Sequence, residues 1–455
     1  MDRISNLPEA LLSRILSFLP TEESAMTSVL SKKWRYLFAD RPNLDFNGSV
    51  IRFHPDTSEW KKAEFLRVFT RFVDRVLELQ GNSTVDEFSL KCGDGVDPVC
   101  VTNWILNVLE RGVSDLDLHF DLLGVCLPSE VFMSKSLVRL RIESKTVIGI
   151  DVEDVFLPKL KTLYINKLML GKCGDYFEKV TSGCHVLEEL VLINVYSDFW
   201  NRSVSSKTLK RLIMSCIDYD RNPDSVSFDT PSVVYLEYSD YVAGKYPKVN
   251  FRSLVEASID LEMTSEQCAV ASYEHSVGNV TDFLMGIRNV QTLFISAYTL
   301  EVLTFCCDHI PVFRNMIRLT IQSRKSGWES LPALLKKCPN LETLVFDELS
   351  HSFTMKCMDV DGCLCKFSGE VPTCLSSSPV KVLKILRFGE AGVEKETDLI
   401  KHFLETMPQL EQVTIYYDTL FDDDAAIELS RELTRFPTKA SPSCEIQVFF
   451  GKVSS

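Results

Sequence analysis

The chain has 455 residues, of which 45% are hydrophobic and 25% charged, and its formal net charge is −14. This is a globular composition. The acidic balance excludes nonspecific nucleic-acid binding, which needs a basic footprint, and no apolar run reaches the roughly 18 residues of a membrane span. The polar start lacks the apolar stretch of a signal peptide, and the 15 cysteines are odd in number. An intracellular chain with reduced thiols, nuclear or cytoplasmic, is therefore expected.

The first predicted element is a helix opening after Asn6, a candidate cap, with Pro8 in its first turn. Leu12, Ile15, Leu16 and Leu19 form one apolar stripe; Leu11, Ile15 and Phe18 form a second beside it, and Pro20 stops the helix. Thr21 is read as the cap of a second helix carrying Ala25, Met26, Val29 and Leu30. Ser31 is read as the cap of a third holding Trp34, Leu37 and Phe38. So short a helical unit rarely stands alone. Each surplus apolar side chain gains roughly 1.5–3 kcal/mol when covered, so a further surface is expected to cover them, within this chain or on another protein.

Leu7-Pro8, Leu11-Leu12, Ile15-Leu16, Leu19-Pro20 and Val29-Leu30-Ser31-Lys32-Lys33-Trp34-Arg35, followed by Pro42-Asn43-Leu44-Asp45-Phe46, resemble an F-box over residues 1–47. The resemblance implies docking on a Skp-type adaptor of a cullin-based ubiquitin ligase. It carries Leu7, Pro8, Leu11, Ile15, Val29, Leu30 and Trp34 over as adaptor contacts. Met26 departs from the pattern, since many members carry a basic residue there.

Residues 48–84 read as a helical connector. Phe65, Phe69, Phe72, Val73, Val76 and Leu77 keep a helical period, and Gly81-Asn82-Ser83 ends it. From residue 85 to 346 one pattern recurs, apolar-x-x-apolar-x-apolar. Examples are Val85, Phe88 and Leu90; Leu137, Leu140 and Ile142; Leu187, Leu190 and Leu192; and Leu341, Leu344 and Phe346. The last two positions alternate as in a strand and point inward, while the residues between them point out. One such unit cannot bury its own face. Stacked at a period of about 20–29 residues it is the leucine-rich repeat signature. Pro158, Cys184 and Cys338 fall where the chain turns into a strand. Residues 262–288 suggest a helix inside a longer repeat.

Residues 347–370 read as an inserted, cysteine-containing loop, and 371–450 as a further segment. Its Val371-Pro372, Cys374-Leu375, Val380 through Ile385, Phe388-Gly389, Leu399-Ile400, Phe403-Leu404 and Leu410 through Ile415 are similar to the FBD domain of plant-type F-box proteins. There the repeat pattern is read on Leu383, Leu386 and Phe388, then on Leu410, Val413 and Ile415.

Motifs for catalysis are lacking. The seven histidines are scattered, with no H-E-x-x-H pair, and there is no G-x-S-x-G elbow or complete P-loop. Cys357, Cys363, Cys365 and Cys374, with His351 nearby, lack the paired knuckles of a zinc site, so no metal and no cofactor is expected.

The expectation is an α/β chain: an N-terminal three-helix F-box, an irregular leucine-rich-repeat solenoid with parallel strands on its concave face, and an FBD-type repeat-like end. The resemblance implies a non-catalytic substrate receptor of an SCF-type E3 ubiquitin ligase, with a Skp-type adaptor, a cullin reached through it and a target protein as partners. Neither nucleic acid nor membrane is among them. A non-ligase interaction scaffold is the alternative. The outward strand residues Asp117, Arg141, Tyr164, Val191, Glu237, Phe294, Thr320 and Val345 are expected to meet the target; Arg141, Tyr164, Glu237, Phe294 and Thr320 lead that set.

Overall fold

The computed structural model describes residues 4, 7–31, 33–34, 37–48, 58–93, 95–120, 127–150, 154–170, 176–197, 201–216, 220–271, 278–322, 327–350, 363–364, 373–389, 392–417, 431 and 443–450. Contacts divide the chain into two compact units, Met1–Phe199 and Trp200–Ser455.

The first unit opens with helix α1 (Glu9–Leu16), which stands directly behind Pro8. Its last turn tightens, with Phe18 N–H on Ile15 O and Leu19 N–H on Leu16 O, before Pro20 ends it. Helix α2 (Thr21–Met26) runs into a 3-10 turn, Thr27–Val29. The expected third helix is shorter than its apolar spacing suggested. Trp34 lies on a turn closed by its N–H to Ser31 O, and only Leu37–Asp40 winds further, as a 3-10 turn. Thr21 does not cap α2. It is the first helical residue, and its N–H and hydroxyl both donate to Asp45 Oδ1 at 2.8 and 2.9 Å, while the Asp45 N–H donates back to Thr21 Oγ1 at 2.9 Å.

Asp45 belongs to strand β1 (Asn43–Asn47), so the sheet starts inside the F-box-like stretch. β1 pairs in parallel with β2 (Glu87–Cys92). Then β3 (Asp115–Phe120), β4 (Arg139–Ile150), β5 (Thr162–Leu170) and β6 (Glu189–Ser197) follow, each parallel to its predecessor in sequence. Helix α3 (Glu59–Gln80) is the connector; Phe69, Val73, Val76 and Leu77 are its buried face. Trp104, on α4 (Pro98–Glu110), meets Phe69 edge-on and donates its indole N–H to Asp74 at 2.7 Å. Helix α5 (Tyr176–Gly183) precedes β6.

The repeat is written in the main chain as well as in the leucines. Asp86 O accepts from the N–H groups of Ser114 and Asp115, Ser114 O from Val138 and Arg139, and Val138 O from Lys161 and Thr162. One carbonyl per repeat thus holds two donors of the next. This satisfies the turn's backbone groups and fixes register before the side chains pack. Cys184 is buried at its turn, as its small apolar thiol suits, and burial pushes its pKa up to about 12.

The second unit carries β8 (Arg211–Ser215), β10 (Tyr235–Tyr241), β12 (Glu256–Glu262), β13 (Thr292–Ile295), β14 (Arg318–Ile321), β15 (Thr343–Phe346), β16 (Val382–Phe388), β17 (Gln412–Tyr417) and β18 (Glu445–Phe450), again parallel and adjacent in this order. A second sheet of β7 (Asn201–Ser205), β9 (Ser225–Asp229) and β11 (Val249–Asn250), also parallel, was not foreseen. Its strands alternate Arg202 and Val204, and Val226 and Phe228, inward. They fall between the apolar triplets that mark the long sheet, so the recurring pattern does not point to them. Helices α6 (Ser265–Ala271) and α7 (Thr281–Ile287) fill the long repeat, where helix was expected. Helices α8 (Ala297–Phe305), α9 (Leu331–Lys336), α10 (Thr373–Ser376) and α11 (Val393–Thr406) complete the unit.

One register differs from expectation. Leu344 pairs with Leu383 and Phe346 with Ile385, so the inward triplet is Val380, Leu383 and Ile385, all fully buried, and Leu386 is half-buried. Both triplets fit the apolar pattern. Glu342 O decides, because it accepts from the Lys381 and Val382 N–H groups and so starts the strand at Val382. An irregularity between Ile385 and Phe388 then returns Phe388 to the core against Tyr417.

Candidate functional site

Two surfaces of the first unit stand out. The first is on the helical head, where α1 separates a buried apolar row from an exposed one, with Ile15, common to both predicted stripes, on the exposed side. Leu12 and Leu16 join Trp34 and Leu37 in a closed core, with Leu7 and Leu19 packed against it. Leu11 and Ile15, one position earlier in each turn, are 48% and 43% exposed. Val29 and Leu30 are exposed at 85% and 66%, and Met26 beside them is exposed too. Pro8 is exposed and Leu7 half-buried. Of the seven residues expected to contact an adaptor, six therefore present surface and one does not. Trp34 is 5% exposed and closes the core beneath. The sequence shows an aromatic residue in a run of polar ones; it does not show that the ring turns back onto Leu12 and Leu16.

The second surface is the polar face of the sheet, where register lines up Asp45, Ser89, Asp117, Arg141, Tyr164 and Val191 on successive strands. Arg141 lies over the Tyr164 ring at 4.1 Å and bonds Glu143 at 2.7 Å. His119 Nε2 is 2.9 Å from Asp117 Oδ1. Burial works against the charge on Asp117, but His119, Arg141 and Lys91 outweigh it and hold this carboxyl below its ordinary range. Asp115 is pushed up instead, by burial and by Glu87 and Asp117, with Arg139 opposing. Val191 is buried despite its outward register.

Between this face and the Ser17–Pro20 turn of the head lies a cleft of about 610 Å³. Its walls include the exposed Phe18, Asp45, Glu87, Asp115 and Arg139, with Arg41 set into one side. Arg41 is 3% exposed. Its Nη2 reaches Ser17 O at 3.5 Å, and its Nε and Nη1 have no hydrogen-bond partner among the described residues. Burial lowers its pKa, and Asp45 opposes that. The cleft was not foreseen, and Arg41, which in sequence clusters with Lys32, Lys33 and Arg35 as a basic group for an acidic partner or a solvated face, is buried instead.

In the second unit Glu237, Phe294 and Thr320 are half-buried on the outward face of β10, β13 and β14. Phe294 and Thr320 are register neighbours. Val345, next in that row, is fully buried, contrary to its expected outward role. Glu237 accepts from the Tyr235 hydroxyl at 3.2 Å, and Arg211 caps the Tyr235 ring at 4.0 Å. Of the cysteine group, Cys357 and Cys365, with His351, lie outside the described residues, while Cys363 and Cys374 are buried. Among the described residues no cluster of His, Cys, Asp and Glu is arranged to hold a metal. No helix there is long and apolar enough to cross a membrane.

A small helical head with an uncovered apolar row, joined to serially stacked parallel strands, defines an F-box and leucine-rich-repeat protein. Comparison with known proteins agrees. The F-box domain model matches residues 4–46, and the model described as FBD-associated F-box protein At5g56370, LRR repeats, matches residues 101–243. The chain is 64% identical to the Arabidopsis thaliana F-box/LRR-repeat protein At3g59250, over 98% of this chain and 97% of that one. It is 54% identical to the putative F-box/FBD/LRR-repeat protein At3g59240 of the same plant, over 98% and 89%, and 52% identical to its F-box/LRR-repeat protein At4g14096, over 100% and 96%. The chain belongs to the plant F-box/LRR-repeat family.

Proposed function

We propose that the protein is the substrate-receptor subunit of an SCF-type ubiquitin ligase, non-catalytic in itself and working inside the cell. The observation that carries this reading is the split of α1. Leu12 and Leu16 complete a core with Trp34 and Leu37, while Leu11, Ile15, Val29 and Leu30 remain outside it. Side chains of this size gain roughly 1.5–3 kcal/mol each on burial, and a row of them fits a foreign helical surface. A Skp-type adaptor covers this row and brings a cullin with it. The polar sheet face takes the target, Arg141 and Tyr164 in the first unit and Glu237, Phe294 and Thr320 in the second. Catalysis is then by proximity, as the complex holds a target lysine near the ubiquitin-charged enzyme. Residues 1–47 serve as the F-box, 85–346 as repeats and 371–450 as the FBD segment.

The test is co-purification with a Skp-type adaptor. The wild-type chain is expected to capture it, and the combined Leu11→Ala, Ile15→Ala and Leu30→Ala variant to lose it while staying folded. Capture that survives the triple change, or no capture by the wild type, favours a scaffold that engages other proteins.

A further inference from the structure

We propose that the strand-entry edge of β10, β12, β13 and β14 is a further docking surface, which binds an extended acidic segment of another protein in which apolar residues alternate with Asp or Glu. This goes beyond the receptor reading above and does not depend on it. The surface lies wholly within the second unit. It is made of two rows, one basic and one apolar.

The basic row comes from a turn that recurs once per repeat. The N–H groups of Leu254, Val290 and Met316 close it on the carbonyls of Phe251, Ile287 and Phe313, and Arg252, Arg288 and Arg314 each hold its second position. The turn does not ask for arginine there. It needs a φ of about −60°, and Pro158, Pro231 and Pro339 hold the same position in other repeats. Helix ends do not account for the row either. Arg288 follows α7, but Arg252 follows strand β11, and the helix before Arg314 ends at Phe305. The three arginines are exposed, precede adjacent strands and have no ion pair among the described residues. The carboxylates of the same edge, Glu256 and Glu342, have none there either. Three unpaired guanidinium forks thus stand side by side on a chain of net charge −14. Each fork matches a carboxylate in shape and charge.

The apolar row stands three residues further along the chain. Val234 O accepts from Val255 and Glu256, Val255 O from Gln291 and Thr292, and Ile317 O from Glu342 and Thr343. This is a main-chain task, and Lys210, Gln291 and Glu342 perform it in neighbouring repeats. The fold therefore does not require an apolar side chain at Val234, Val255 or Ile317, yet all three are apolar and exposed. An extended segment lying between the rows sends successive side chains to opposite sides. Alternation of acidic and apolar residues then sets carboxylates on the arginines and apolar groups on Val234, Val255 and Ile317. A bilayer or a nucleic acid carries its negative charge over an area wide enough to meet the acidic excess of the whole chain and is repelled. A short segment meets only the two rows, since screening confines its field to about 8 Å at physiological salt.

The experiment uses the full chain and three fluorescein-labelled peptides of equal length, Glu alternating with Leu, Glu with Ser and Lys with Leu, read by anisotropy at low salt. The wild type is expected to bind the Glu/Leu peptide most tightly. Arg252→Glu with Arg314→Glu is expected to weaken it about tenfold, the scale of two exposed ion pairs. Val255→Ser with Ile317→Ser is expected to weaken it about fivefold and to leave the Glu/Ser peptide unmoved. All four side chains are exposed, so unchanged melting temperature and adaptor capture are expected of both variants. Affinity for the Glu/Leu peptide that survives the arginine reversal overturns the proposal, as does equal binding of the Lys/Leu or Glu/Ser peptide. Tighter binding of oligodeoxythymidine or of phosphatidylserine vesicles, lost on the reversal, gives the row to a polyanion or a membrane and overturns it. Self-association in sedimentation that the reversal abolishes gives the row to a second copy and overturns it too.

Discussion

Leu30 and Trp34 stand four residues apart and have opposite surroundings. Trp34 packs on Leu12, Leu16 and Leu37, so Trp34→Ala is expected to cost about 3–5 kcal/mol of head stability, seen as early loss of amide protection over residues 9–40. Leu30 faces solvent, so Leu30→Ala should change stability by under about 0.5 kcal/mol while weakening adaptor capture. Equal destabilisation by both would contradict the split. Glu262 shows a second residue-scale effect. It is half-buried at the end of β12, and burial, then Asp260, Asp220 and Glu301, push its pKa up. A carboxyl raised on folding binds more protons in the native state, so its contribution to stability falls as pH rises from the ordinary carboxylate range through the raised one. Glu262→Gln should therefore stabilise the protein at neutral pH and flatten the fall above pH ~4.5, measured by urea unfolding across that range. Neither the burial nor the approach of Asp220 and Glu301 can be read from the sequence, because both are distant along the chain.

At the scale of elements, the link between β7 and β10 is the most exacting contact. Arg202 and Asp240 are both buried and bonded to each other; the Tyr238 hydroxyl donates to Asp240 at 3.0 Å, and the Tyr241 N–H donates at 2.8 Å. The ring of Tyr238 packs against Phe228 on β9 and Phe283 on α7, tying both sheets to a helix. Removing one partner leaves an uncompensated charge, so Arg202→Met should cost about 3–5 kcal/mol. Arg202→Met with Asp240→Leu should recover most of that in thermal melts, and a double variant as unstable as the single one would refute the account. The aspartate was invisible to pattern reading because its position in β10 continues the inward alternation of Leu236 and Tyr238. The register of β16 teaches the same lesson. Leu386 and Ile385 are equally apolar, and only the Glu342 carbonyl chooses between them.

At the scale of the whole molecule, within each unit the strands of the long sheet rest on the repeats before and after them, so stability is close to a sum of repeat and interface terms. Leu293→Asp, a charge placed in the core of β13, should expose β12 and β14 to hydrogen exchange before more distant strands of that unit; uniform loss across the unit would refute this. The leucine spacing alone determined that parallel strands recur and which side chains they bury, because period two and a repeat near 25 residues leave one stacking that hides every apolar row. Composition and the dense motif at residues 7–46 determined the kind of head. Tertiary structure decided that Trp34 supports the head's surface without forming it, that Val345 is buried despite its outward register, and that Arg41 and Glu87, with 45 positions between them, share one cleft. Those outcomes depend on which distant groups arrive beside a residue and how much water they displace. Local spacing does not encode that.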